Sequence, residues 1–526
     1  MNSVINSTGQ STPPIGSTQA QQTTKKHIRS SSLLLSGRFI SMGISLVVQI
    51  LTVRYLAKND YGAFAYALAI ASFGSSIAVF GLDKTITRFA PIYHEQHNYN
   101  KLFGSILLSL GTVFGLGLLI VLGTIGLQTM LAGALTDPET IALLLIVIAI
   151  VPLDALDTLL EGLFAIFASP KVIFVRRHLL GPGLKLGTVL LLIWVQADVY
   201  FLAVGYLVAT LIGVLTYILL LFSLLRKQGL LQKFSLRTVQ LPIKEIFGFS
   251  IPLLSSDLVF MLRSYLPVIL LEYFQSTAGV AAFRAVVPIA RLNMIVYQSF
   301  TFLYMPYASR MFARNERQEL NQLYWRSAIW IAIFSFPVFV VSCSLAQPFT
   351  VFLFSNRYAE SGMILAMLSL GNYVNAAFGF NTYTLRVYGE IRAIMILDAI
   401  SVVVGVIASF FFIARYGALG AAISTSMTMI VQNLLYQITL QFGTDVKIFD
   451  PTYLQAYVSI VLAGGSVFLV QWLWTPPIYI GFALAMLASL GVLVVNRKTL
   501  NVEQIFPELL RVPVVKRLLA TSPTAS

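Results

Sequence analysis

The stretches "RYLAKNDYGAFAYALAI" (54–70) and "EYFQSTAGVAAFRAVVPI" (272–289) share one order of features. In each, an apolar run ends, a polar turn follows, and an alanine-rich apolar run opens. Two further pairs keep nearly the same spacing: "RFAPIY" (88–93) with "LYMPYA" (303–308), and "YFLAVGYL" (200–207) with "YGALGAAI" (416–423). The offset stays at about 215–220 residues throughout. Six apolar runs fill one offset, an even number, so both copies would enter a membrane in the same orientation. That describes a parallel repeat about an axis along the membrane normal.

Composition fixes the solvent. Of 526 residues, 57% are hydrophobic and only 11% charged, and the mean hydropathy is +0.82. A soluble chain could not cover that much apolar surface with so little charge. Runs such as "IALLLIVIAIVPLDALDTLL" (141–160) have the length of a membrane-spanning helix. Fourteen such runs are expected, centred near residues 44, 72, 114, 152, 184, 212, 258, 291, 336, 374, 403, 428, 463 and 485.

The expected organisation is a disordered cytoplasmic tail over residues 1–31, a first six-helix lobe over 32–225 and a cytoplasmic linker over 226–243. A second six-helix lobe over 244–441, two extra helices over 442–496 and a cytoplasmic tail over 497–526 complete it. The Ser-, Thr- and Gln-rich beginning reads as lacking a signal peptide.

A formal net charge of +14 could suggest nucleic acid, but the positions of the charges oppose that. Twenty-six of the 35 lysines and arginines fall on one side of the expected helices, and four (Arg54, Lys58, Arg357, Arg415) on the other. The positive-inside rule then puts both termini in the cytoplasm, with anionic membrane lipids as the natural partner of the basic face. No nucleic-acid partner is expected.

Five cations remain inside helices: Arg38, Lys185, Arg263, Arg284 and Arg291. Arg284 and Arg291 are seven residues apart, two turns along one helix face, and Arg263 lies on the preceding run. Asp257 is the one acid within those two spans, so the three guanidiniums cannot all be paired locally. A bound anion would relieve their repulsion, and a diphosphate suits the planar guanidinium fork. The competing reading has each arginine snorkel to the interface or pair across the protein. Arg38, near the cytoplasmic opening, and Lys185 are further candidates for the diphosphate, though Lys185 could equally pair with an acid of the fourth run.

That fourth run carries Asp154, Asp157 and Glu161 on one face. The stripe could bind a coupling Na+ or H+, since intramembrane acids commonly mark ion paths. It could instead pair with Lys185 and Arg38 inside its own lobe. Asp257 and Asp398 are weaker candidates for coupling. Prolines 152, 182, 252, 267, 288 and 337 fall within expected spans; they are either hinges or the ordinary proline of membrane helices. Trp472/Trp474 and Tyr453/Tyr457 read as interface belts.

The segment "LTVRYLAKNDYGAFAYALAIASFGSSIAVFGLDKTITRFAP" (51–91) resembles the helix 1–2 signature of the Wzx-like polysaccharide-export flippases, in the multidrug/oligosaccharidyl-lipid/polysaccharide (MOP) exporter superfamily. The residues that carry the resemblance are Arg54, Leu56, Tyr61, Gly62, Gly81, Leu82 and Lys84, and "YGALGAAIST" (416–425) resembles the family's helix 11–12 turn. The resemblance covers roughly residues 32–500. It implies a V-shaped, two-lobed bundle that moves isoprenoid-diphosphate-linked oligosaccharide from the cytoplasmic to the outer leaflet through a cationic central cavity. It also implies a bacterial inner-membrane location, polysaccharide polymerase machinery as a partner, no cofactor, and no enzymatic activity. "FRAVVP" places Arg284 and Pro288 much as the related peptidoglycan-precursor flippases place an arginine before a proline in helix 8. The helix 1 arginine cluster of those flippases has no counterpart here beyond Arg38, which weighs against the alternative of a peptidoglycan-precursor lipid flippase.

Several alternatives lack their signatures. No G-x-x-x-x-G-K-[ST] is present, so no P-loop hydrolyses ATP. The one cysteine excludes an intrachain disulfide. A cation-coupled multidrug exporter would want an acidic or apolar cavity where this chain offers arginines. A membrane glycosyltransferase or polymerase would need a long outer loop or a soluble catalytic acid pair.

Overall fold

The computed structural model describes residues 36–127, 138–167, 170–235, 237–444 and 446–500. The expected tail over 1–31, and all but the first residues of the one over 497–526, lie outside the described residues. The architecture is all-helical. Its main helices are α1 (Ser36–Tyr55), α2 (Lys58–Glu95), α3 (Tyr99–Gly126), α4 (Glu139–Phe164), α5 (Lys171–Val195) and α6 (Val199–Lys227). They continue with α7 (Ile243–Phe274), α8 (Thr277–Thr301), α9 (Arg317–Ser344), α10 (Ser361–Val387), α11 (Ile391–Gly443), α12 (Pro451–Trp474) and α13 (Ile478–Val495).

Among the described residues, twelve helices are long and apolar enough to cross a membrane, or thirteen when the bent α7 is taken as one span. The 53-residue α11 leaves helical geometry at Gly417 (φ 54°, ψ −127°). A count of fourteen requires dividing α11 at that point. The bend in α7 is 43°, between Ile243–Leu254 and Asp257–Phe274, just beyond Pro252, whose ring removes one backbone donor.

Packing follows from small and apolar faces. Taking α1–α6 as a first unit and α7–α11 as a second, in the first α2 packs on α3 and α4, and α4 on α6; in the second, α10 and α7 pack on α11. The units meet chiefly where α2 lies on α8. One core therefore runs continuously from Val48 to Ala422. A second core joins α12 and α13 to α9, through Phe336, Val340, Ile460 and Ala485. Large apolar side chains such as Leu119, Leu219, Phe411 and Val461 point outward, as a hydrocarbon solvent permits. Trp472 and Trp474 are outward as expected, but Tyr457 is not part of a belt. Its hydroxyl donates to Ala377 O at 3.0 Å, because α12 turns that face to α10.

Polar contacts tie the units at both ends. At one end Arg54 donates through Nε to Leu353 O (2.6 Å) and also to Phe352 O, the terminal carbonyls of the short helix Ala346–Phe354. Arg357 returns the arrangement on Arg54 O (2.7 Å) and Leu56 O (3.3 Å), while Lys58 pairs with Glu360. At the other end Lys84 pairs with Asp257, and Glu245 accepts from Tyr93 and from Lys101, the latter at 2.7 Å.

Candidate functional site

α8 is a helix with two unlike faces. Ala281, Ala282, Ala285, Val286 and Ile289 are buried, and the small ones let α2 come close. Behind Arg284, Gln49 of α1 donates to the Tyr61 hydroxyl (2.6 Å) and to the carbonyls of Arg284 and Ala285 (3.4 Å each). The backbone beneath that arginine is thus held by both α1 and α2.

The opposite face opens on a cavity of about 390 Å³, lined by Arg263, Arg284 and Arg291 together with Ser264, Gln298, Asn372, Asn375 and Thr425. That volume lies within the usual range for small-molecule sites, about 300–1,000 Å³. No aspartate or glutamate lines it. Among the described residues, none of the three arginines has a carboxylate within salt-bridge distance. Arg263 donates to Gln432 Oε1. Gln432 in turn donates to Asp398 Oδ1 at 2.6 Å, and Asp398 also accepts from Tyr436. The nearest acid on this path is thus one neutral amide removed from Arg263.

The position differs from the central cavity of a two-lobed bundle that the resemblance implies. Every lining residue lies between 260 and 429, so the cavity belongs to the second unit. The reason is geometric: α8 gives its alanine face to α2, which leaves the arginine face to α7, α10 and α11.

Two expected members of the cationic set are elsewhere. Lys185 lines a separate pocket of about 220 Å³ with Asp154, Asp157, Glu161, Arg176 and Arg177, and its Nζ stands 5.4 Å from the Tyr206 ring centre. Arg38 is exposed and lines neither cavity. Its carbonyl accepts from Ser41 Oγ at 3.0 Å, and that hydroxyl also meets His178 Nδ1 at 3.2 Å.

The acidic stripe of α4 does face one way, but its partners differ from those expected. Asp157 pairs with Arg176 and Glu161 with Arg177 at 2.5 Å. Asp154 accepts from Ser75 Oγ at 2.7 Å, and no cation lies within salt-bridge distance of it among the described residues. Asp257 pairs with Lys84 rather than with the α8 arginines, since it lies at the bend of α7 nearer α2.

Arg176 is the residue that sequence reasoning missed. It is only 6% exposed, and its guanidinium lies 4.1 Å from the Tyr217 ring centre. Nε donates to Gly213 O at 3.2 Å. A Cβ at position 213 would stand 2.6 Å from the guanidinium, so glycine there makes the room. A π-helical segment over Phe174–Leu180 carries Arg176 inward from a stretch that reads as a basic loop.

Comparisons with known proteins bear on this architecture. A family model described as polysaccharide biosynthesis protein matches residues 28–312, just over half the chain. The capsular polysaccharide biosynthesis protein CapF of Staphylococcus aureus is 25% identical over 194 residues, 37% of this chain and 49% of that relative. The match thus spans about half the length of this curated relative. Among solved structures, the lipid II flippase MurJ in an inward closed conformation superposes with a TM-score of 0.66 at 16% identity, covering 89% of this chain and 99% of that one. An inward-facing multidrug resistance MATE family transporter of the MOP superfamily gives 0.59 at 16% identity, covering 77% and 93%. At such identities the likeness is one of fold.

Proposed function

The chain belongs to the polysaccharide biosynthesis protein family, and on that premise we propose that it is a flippase for isoprenoid-diphosphate-linked oligosaccharide. The observation that carries this reading is three arginines on one cavity that no carboxylate lines. Unneutralised cations in a site walled by protein repel one another and are costly to desolvate. A diphosphate offers two acceptor groups to their forks. A cationic drug, the cargo of the multidrug alternative, would add to the repulsion.

A second cavity supports an amphiphilic cargo. It measures about 560 Å³ and is almost wholly apolar, lined by Phe339, Leu370, Tyr373, Val374, Ala377, Ile460 and Phe468 among others. α10 forms a wall of both cavities: Leu368, Asn372 and Asn375 turn to the arginines, and Leu370, Tyr373 and Val374 to the apolar side. An isoprenoid chain fits the latter chemistry and a diphospho-sugar the former.

In this reading the basic face is cytoplasmic, the cargo moves outward by alternating access, and polysaccharide polymerase machinery uses it at the outer face. Asp154 is the residue for a coupling Na+ or H+, since Asp157 and Glu161 already hold arginines. The test uses the purified protein in liposomes with a lipid-linked oligosaccharide whose outer-leaflet fraction is read by an impermeant lectin. Wild type should translocate it, and Arg263→Ala or Arg291→Ala should lower the rate at least tenfold. Equal rates in both variants, or efflux of a cationic dye instead, would overturn the assignment.

A further inference from the structure

The wall facing the arginines is made of carboxamides whose orientations are fixed by backbone groups. Amide oxygen and nitrogen are normally hard to tell apart, but two anchors settle them here. Asn372 donates its Nδ2 to Leu368 O at 2.8 Å. A carbonyl can only accept, so the end that Asn372 leaves open is Oδ1. The second anchor lies further off. Thr382 N donates to Asn381 Oδ1 at 2.7 Å, which leaves Asn381 Nδ2 to donate to Asn433 Oδ1 at 2.9 Å. Asn433 Nδ2 then donates to Asn375 Oδ1 at 2.7 Å. The end that Asn375 leaves open is therefore Nδ2, with only the weak acceptor Met294 Sδ at 3.7 Å.

Asn381 and Asn433 are each 2% exposed, so the ladder is shielded from water and its direction holds. Asn372 and Asn375 are three residues apart on one face of α10, both on the arginine-lined cavity. Together they present one acceptor and one donor side by side, with the Gln298 amide also on the lining. A phosphate has acceptors only and would meet the Asn372 oxygen unfavourably. Apolar tails match neither group. A pyranose matches both, through neighbouring hydroxyls or through an acetamido group with its own N–H and C=O.

We propose that Asn372 and Asn375 form a subsite for the sugar directly attached to the diphosphate, held by a donor–acceptor edge of that sugar. Asn433 and Asn381 are positioning residues that set which end of Asn375 faces the cargo. This assignment rests on the diphosphate reading above and adds a specificity element to it.

The experiment measures binding to the purified full-length protein by intrinsic tryptophan fluorescence. The probes are a C55 isoprenyl diphosphate, the same lipid carrying one glucose, and the same lipid carrying one N-acetylglucosamine. At least one glycosylated probe should bind about tenfold more tightly than the bare lipid, the value of two modest hydrogen bonds. Asn375→Leu should bring that ratio to near one, and a melting temperature matching wild type shows that the variant is folded. Asn433→Leu should lower the ratio in the same direction. A preference for both sugars supports a hydroxyl pair, and a preference for the acetamido sugar alone supports the amide edge. Equal binding of all three probes, or an unchanged ratio in Asn375→Leu, overturns the sugar subsite and leaves the diphosphate reading standing. Failure of the bare lipid to bind overturns both.

Discussion

The contact between α2 and α8 makes a sharp prediction at Gly62. A Cβ built there would lie 1.9 Å from Thr277 O and 2.6 Å from Thr277 C. Both are backbone atoms, which no rotamer change can move. An ordinary contact needs about 3.4 Å, so Gly62→Ala must part the two helices by about 1.5 Å along that line. Overpacking of this kind costs about 1–3 kcal/mol, and 2 kcal/mol is about a thirtyfold change in an equilibrium. Strain of this sort is relieved by separating the units at the Arg54 end, so it should favour the state open there. The reporter is the neighbouring pair Lys58 and Glu360, each replaced by cysteine in a Cys343→Ser background that removes the sole native thiol. Cross-linking by a short bis-maleimide should slow about ten- to thirtyfold in Gly62→Ala. Gly43→Ala is the control, because a Cβ at Gly43 meets nothing within 4 Å. An unchanged cross-linking rate together with an unchanged melting temperature would refute the reasoning.

Other expectations follow from the charges. Arg176→Ala leaves Asp157 without its cation and removes the contact over Tyr217; it should destabilise by about 2–4 kcal/mol in thermal melts, and adding Asp157→Asn should restore more than half of that. Arg291→Ala should behave in the opposite sense. With no acid partner to orphan, its melting temperature should hold or rise while transport falls. Asp398→Asn frees the amide of Gln432 that orients Arg263, so affinity for the cargo should drop about three- to tenfold with little change in stability. Asp154→Asn should make transport indifferent to an imposed Na+ or pH gradient, and a retained gradient response would remove Asp154 from the coupling role.

Much of the fold is legible because a bilayer makes strong demands on a sequence. A spanning helix must be apolar for about twenty residues, and polar turns must separate the spans. Those demands locate helices along the membrane normal, and the expected centres fall within the observed helices. They say little about which way a side chain turns around its axis. Arg284 and Arg291 could be placed on one face from spacing alone, yet whether that face met the other unit depended on the alanines beside them. Those alanines fit α2 so closely that the arginines are left to their own unit. Arg176 was hidden for a related reason. It lies among basic residues near a helix end, and only the π-helical segment and Gly213 reveal a buried position. Asp157 and Glu161 share one face, but their partners come from the π-helical segment over Phe174–Leu180, in a stretch that reads as a basic loop. The amide ladder from Asn381 to Asn375 spans three separate stretches of chain, and no local pattern announces it.

The arrangement of charges also bears on how cargo and gating would be linked. α7 carries Arg263 on the cavity and, on the same helix, Glu245 and Asp257 of the tie at the far end. α8 carries Arg284 and Arg291 on the cavity, while Thr277 at its first turn meets Gly62 next to the opposite tie. The two helices that present the arginines are therefore the two that reach the closures. Under the proposed function, mutual repulsion of the guanidiniums would push α7 and α8 apart without an anion, and an anion between them would draw the helices together. The 43° bend in α7 lies between Arg263 and Glu245, where a change of angle would convert a small shift at the cavity into a larger one at Glu245. Lys84–Asp257 and Lys101–Glu245 are ion pairs of partly exposed groups, worth about 0–1 kcal/mol each. Bonds that weak can yield to the neutralisation of a cavity charge. The tie at the Arg54 end is of another kind, since Arg54 and Arg357 hold backbone carbonyls from both sides through four hydrogen bonds. The physical asymmetry makes the Glu245 end the easier to open in the absence of cargo, and under the proposed function that would be the end facing the cytoplasm.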